Sequence, residues 1–142
     1  MMIIIGFLLG LVYASFLEWG IHKYLFHKLG RKKDSIFAYH LRGHHVLAKK
    51  NGFVDLTASR VESVGMMFLI LLHIPVIFYS VSFWAAITLY ALAFKFLHGY
   101  QHSNPEFTKK HMKWHWDHHM KNPNKDYNVV LPIADKIMRT NG

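Results

Sequence analysis

Residues 64–97 read VGMMFLILLHIPVIFYSVSFWAAITLYALAFKFL. Apart from His73 and Lys95, the stretch carries no ionisable acid or base other than tyrosine. It is too long for one crossing of a hydrocarbon layer about 30 Å thick, and it suits two. Ser80-Val81-Ser82 is the most polar point, so it divides into helices over about 64–80 and 83–99. Each is close to the lower limit of about 17 residues for a crossing. Pro75 predicts a kink in the first. Apolarity on every face argues against a buried hairpin in a soluble protein.

Working back, Met2 to Gly20 (MIIIGFLLGLVYASFLEWG) is a third apolar run, interrupted only by Glu18. No basic residue precedes it, and no A-x-A-like cleavage site follows, so it reads as a retained anchor. Its helix is expected to continue through IHKYLFHKL and to stop near Gly30. Residues 31–39 then form a basic loop, and 47–60 a loop and short helix with a turn at Asn51-Gly52. The expected fold is all-α: an integral membrane helical bundle of about three spanning helices with a small helical cap. The 142 residues form one domain, with spans over about 2–20, 64–80 and 83–99 and the cap from 21–62 and 100–142.

Charge fixes the orientation. Of the 17 Lys and Arg, all but Lys95 lie in the two cap segments. The N-terminus and the 80–82 turn carry none. The positive-inside rule therefore puts the cap on the cytoplasmic face. The formal charge of +9 is mostly topology, with attraction to anionic lipid headgroups and not to nucleic acid. The absence of cysteine removes disulfides, thiolate catalysis and Cys-type zinc sites.

The 12 histidines are the compositional outlier, and ten repeat one layout. His22 and His27 end the first span; after 28–39 come His40, His44 and His45. His98 and His102 end the third; after 103–114 come His115, His118 and His119. The topology puts all ten on one membrane face. Neutral imidazole is a common metal ligand, and this number of rings suits two ions. On ideal α-helices, residues five apart diverge by about 140° and residues four apart by about 40°. One division consistent with those angles puts His22, His40, His44, His115 and His118 on one ion, and His27, His45, His98, His102 and His119 on the other. Imidazoles alone do not choose between zinc, copper, iron and nickel. Glu18 and Asp117 are the candidate carboxylates for orienting these rings, with Glu106 and Asp126 behind them. His73 is read as a hydrogen bond between helices, and His111 as a surface residue.

HKYLFH at 22–27, HLRGHH at 40–45, HGYQH at 98–102 and HWDHH at 115–119 together resemble the histidine boxes of the fatty acid hydroxylase/sterol desaturase superfamily. The tail NPNKDYNVVLPIADKIMRT, 122–140, resembles the segment after the last box. The resemblance implies a membrane oxidoreductase of lipid metabolism with a non-haem di-iron site held by the ten histidines. It implies hydroxylation of a lipid (fatty acyl, sterol-like or carotenoid) with O2 and electrons from a separate donor protein. Zinc is expected to replace iron in some preparations. Two departures stand out. The second box has three residues before its His pair, as in the H-x-x-G-H-H box of membrane alkane monooxygenases. Members are also generally longer, so a three-span chain should have a shorter substrate channel or complete it as a homodimer. The short build favours a bacterial inner membrane over the endoplasmic reticulum.

Three alternatives remain open at this level. A lipid desaturase would use the same site. A membrane metal-binding or transport protein would place ligands near the bilayer midplane, where only His73 lies. A zinc hydrolase would not need so many imidazoles.

Overall fold

The computed structural model describes residues 1–57 and 59–142. All regular elements among them are helical. Helix α1, Met2–Gly20, passes without a break into a π-helical segment, Ile21–Lys28, and a 3₁₀ turn, Leu29–Arg31. A π-helical turn, His40–His44, leads into α2, His45–Lys50. Helix α3, Arg60–Leu72, is followed by a 3₁₀ segment, Ile74–Phe78. Helices α4 (Val81–Ser103), α5 (Pro105–His111), α6 (Lys113–Met120) and α7 (Ile133–Ile137) complete the chain.

Three segments are long and apolar enough to cross a membrane: Met2–Arg31, Arg60–Phe78 and Val81–Ser103. Each reaches beyond its expected limits at the cap end. Helix α3 starts at Arg60 because the Ser59 hydroxyl caps it, accepting from the Glu62 N–H at 3.2 Å. Its α-helical part stops at Leu72; Pro75, without an N–H, falls in the 3₁₀ segment that follows. Ser80 caps α4 in the same manner, accepting from Phe83 N. Gly30 ends the first span through close approach and not through a left-handed cap: a Cβ there would meet the Phe37 carbonyl at 2.9 Å.

Helices α1 and α4 pack closely along small residues. A side chain on Gly10 would meet Ala86 Cβ and the Phe83 carbonyl, both at 2.7 Å, so glycine lets the backbones approach. Ile3, Ile4, Leu8 and Leu9 on α1 remain exposed, as does much of α3, none of whose residues is buried. In water such faces would cost free energy; against lipid they do not. The expected interhelical role of His73 holds, its Nε2 lying 3.0 Å from the Tyr13 hydroxyl while Nδ1–H donates to Leu69 O.

The tail after α6 straps back onto α1. Ser15 Oγ donates to Leu131 O at 2.9 Å, and Trp19 Nε1 donates to Thr140 Oγ1 at 2.9 Å. Ala14, Tyr90 and Val130 form one small core cluster; Trp19, Tyr127 and Ala134 form another.

Candidate metal centre

The four histidine boxes converge at the cap end of the bundle. His22, His27, His40, His45 and His118 form one group; His44, His98, His102 and His119 form a second. Within each group the ligand atoms lie within 4.8 Å of one another. His115 joins the second group by position, its ring centroid 4.8 Å from His119 and 5.0 Å from His102. The two groups adjoin, the rings of His45 and His119 stacking at 4.0 Å.

This partition differs from the one expected on ideal α-helices. His27 and His45 lie with His22, His40 and His118, while His44 and His115 lie with the other group. The cause is the backbone. His22 and His27, and again His40 and His45, are five residues apart. A π-helix closes i→i+5 hydrogen bonds, so such residues stack on one face. His22 and His27 sit within the first π-helical segment; His40 opens the second, and His45, the first residue of α2, closes it by donating its N–H to the His40 carbonyl, so each pair points into the same group.

Six rings have Nδ1 fixed by an acceptor outside the groups. His22 donates to the Tyr127 carbonyl and His118 to the Lys125 carbonyl at 2.5 Å. His102 donates to the Phe53 carbonyl at 2.7 Å, and His115 to Gln101 Oε1. His40 meets Glu62 Oε1 at 3.1 Å, and His44 meets Asp55 Oδ2 at 2.6 Å. With Nδ1 protonated, each neutral ring turns a bare Nε2 lone pair inward. The Nε2 atoms of His44, His102 and His115 are buried and have no hydrogen-bond partner. Those of His22 and His40 face each other at 2.9 Å. Buried lone pairs in that relation repel unless a cation lies among them, and the donor set fits a metal ion.

Burial holds the imidazoles of His40, His115, His118 and His119 well below the usual histidine range, and neighbouring rings add to it. His45 shifts the same way for the same reasons. At His44 burial prevails over Asp55, which pulls upward. Neutral imidazole is the ligating form. For Asp55 the hydrogen bonds from Thr57 and His44 outweigh burial and hold the carboxyl below its usual range.

The orienting carboxylates are therefore Asp55 and Glu62, one for each group. The two expected carboxylates act elsewhere. Asp117 pairs with Lys113 and Lys121 at the surface and makes no hydrogen bond to an imidazole. Glu18 accepts from Tyr90 OH at 2.6 Å, Asn128 Nδ2 at 2.9 Å and Val129 N at 2.8 Å. It holds the tail whose Tyr127 carbonyl meets His22, so it acts one step further out. Asp126 accepts from Gly142 N, and Glu106 is exposed on α5. His111 is exposed, as expected, against Phe107.

Phe53 is a further residue that box spacing does not reveal. It follows Gly52 in the left-handed region, with φ 85°, a costly conformation for a bulky residue. It is fully buried, and its ring stacks on His102 at 4.4 Å. The turn at Asn51-Gly52 thus delivers both a carbonyl and a ring to the second group.

An apolar cavity of about 410 Å³ lies between α1, α3 and α4 and ends against His22, His40 and His98. Leu17, Leu69 and Ile87 are among its walls.

A protein-family model described as fatty acid hydroxylase matches residues 7–140. Neither a curated protein nor a solved structure matches the chain.

Proposed function

Because the chain belongs to the fatty acid hydroxylase family, within the fatty acid hydroxylase/sterol desaturase superfamily, we propose that it is an O2-dependent di-iron membrane oxygenase that hydroxylates a lipid. His22, His27, His40, His45 and His118 would hold one iron. His44, His98, His102, His115 and His119 would hold the other. With O2 and electrons from a separate donor protein, iron supplies an oxidant strong enough for an unactivated C–H bond.

The chain's residues do the rest. Asp55, Glu62, Gln101 and three carbonyls fix the rings in the Nδ1–H tautomer and aim Nε2 inward. Second-sphere acceptors of this kind set ring orientation and raise ligand basicity. The π-helical turns let one helix present two rings to one ion. The apolar cavity admits a hydrocarbon chain from the bilayer and excludes water around the reacting carbon. Sixteen cap-side cations support a cytoplasmic position for the site and suit an acidic electron donor.

The single observation that carries this reading is the convergence of buried, unprotonated Nε2 atoms at the end of an apolar cavity. Lipid mass spectrometry of cells with and without the chain tests it, alongside metal analysis of the purified protein. A product heavier by one oxygen supports hydroxylation. A product lighter by two hydrogens points to desaturation. Two bound metals with no lipid change, electron donor present, would favour a metal-binding or transport protein.

A further inference from the structure

A second cavity, of about 270 Å³, opens between the start of α3 and the end of α4. Its walls are mixed where those of the first are almost wholly apolar, and they include the carboxylates of Asp55 and Glu62. Lys95, Ser63, Tyr39 and Thr57 are among its walls, and His44 and His102 border it. Lys95 Nζ reaches across from α4 to donate to Ser63 Oγ on α3 at 2.6 Å. The exposed lysine is thereby tied to the rim of the cavity. An ammonium has three donors, and this contact uses one.

The two cavities adjoin. Glu62, Met66, Phe94 and His98 line both. The smaller cavity draws on residues 55–57, on residues 59–66 and 94–103 at the cap ends of two spans, and on Tyr39 and His44. The apolar one runs deeper, along residues 61–70 and 87–98 and against α1. A lipid in its ordinary orientation in the leaflet has its head at the level of the first and its tail at the level of the second. The histidine groups border the junction. In that orientation a carbon near the head lies closer to them than the methyl end does.

We propose that the smaller cavity holds the oxygen-bearing head of a single-chain amphiphilic lipid whose tail fills the apolar cavity, so that oxidation falls on carbons next to the head. The regiochemical half rests on the oxygenase reading above; the head site does not. Lys95 supplies the hydrogen bonds to the head, and Met66 and Phe94 flank the chain where it passes His98. The reaction balances as RH + O2 + 2H⁺ + 2e⁻ → ROH + H2O, the electrons coming from a one-electron carrier protein and the protons from water. The C–H bond broken lies a few bonds from the head oxygen.

The test uses the full chain in nanodiscs with radiolabelled palmitate, hexadecanol and hexadecane. Palmitate and hexadecanol share the acceptor oxygen and differ in charge, so they separate an anionic head from a neutral one. At least one should bind about tenfold or more tighter than hexadecane, the usual scale of a hydrogen bond to a charged donor. Lys95→Met should bring that ligand to within about threefold of hexadecane, with hexadecane affinity and metal content unchanged. Lys95→Arg should keep the preference, and Ser63→Ala, a milder change, checks the wall if Lys95→Met misfolds. Equal affinities for all three ligands, or a preference that survives Lys95→Met, would overturn the head site. Iron-loaded chain given a reductant and O2 should place oxygen on the first few carbons of the bound ligand. Oxygen at the methyl end would overturn the regiochemistry. A Lys95-dependent preference with no oxidation of any lipid would sink the oxygenase reading and leave the head site standing.

Discussion

The Nε2 atoms of His22 and His40 lie 2.9 Å apart, and both rings have Nδ1 committed elsewhere, to the Tyr127 carbonyl and the Glu62 carboxylate. Neither ring can donate to the other without losing a buried bond. A cation removes the conflict by accepting both lone pairs.

Purified chain should therefore carry about two metal ions per molecule by elemental analysis. Replacing His22 or His40 by Ala should lower occupancy by about one, since each belongs to the first group. Full loss from either substitution would mean that the groups bind as a single unit. A wild-type content of one or none would refute the two-group site.

The orienting carboxylates separate the groups. Asp55→Asn should weaken metal binding at the second group, and Glu62→Gln at the first, each about 10–100-fold. Competition with a chelator reads both affinities. Asp117→Asn, at a surface pair with two lysines, should change neither. An effect of Asp117→Asn as large as that of Asp55→Asn would reverse the assignment.

The ten histidines and three apolar spans are legible because residue type and hydropathy carry them directly. The partition between groups is not. A spacing of five means opposite faces on an α-helix and one face on a π-helix, and the backbone hydrogen-bond register is not written in the spacing. Asp55 and Glu62 lie outside the boxes, and only the folded chain brings them to His44 and His40. One local signal was present: Ser59-x-x-Glu62 has the pattern of a capping box, which starts α3 at Arg60 and fixes where Glu62 falls. In the fold that glutamate turns to His40. The left-handed backbone of Phe53 carries no sequence signal of its own beyond the adjacent Asn51-Gly52 turn.

Acid should unfold the metal-free chain. In the unfolded state each imidazole takes up a proton near pH 6.5. In the fold, burial keeps His40, His115, His118 and His119 neutral to well below that. The unfolded state then binds more protons, so stability is fully present above about pH 6.5 and is lost as pH falls. Each such ring adds a slope of about 1.4 kcal/mol per pH unit below that point. Denaturation midpoints in detergent at pH 8, 7, 6 and 5 measure this. They should hold steady between 8 and 7 and drop between 6 and 5; a flat profile would mean that the rings are not buried as described. Metal should raise the midpoint at pH 7 and 8 and lose that benefit in acid, because protons compete for the same nitrogens.

Glu18 reaches the first group only through the tail, and that gives its substitution a distinctive signature. It accepts hydrogen bonds from Tyr90, Asn128 and Val129. The tail it holds supplies the Tyr127 and Lys125 carbonyls to His22 and His118. Toward the second group the tail makes one longer, indirect link, Gln101 Nε2 donating to Val129 O at 3.5 Å while Gln101 Oε1 accepts from His115; the Nδ1 atoms of His44 and His102 are held instead by Asp55 and Phe53. Glu18→Ala leaves three donors without their acceptor, at about 1–3 kcal/mol for each that stays buried and unpaired. The expected outcome is a lower denaturation midpoint together with weaker metal binding at the first group and a smaller change at the second. Glu18→Gln keeps one carbonyl acceptor and should fall between Glu18→Ala and wild type on both measures. Equal loss at both groups would mean that Glu18 supports the whole cap, and loss confined to the second would contradict the tail connection outright.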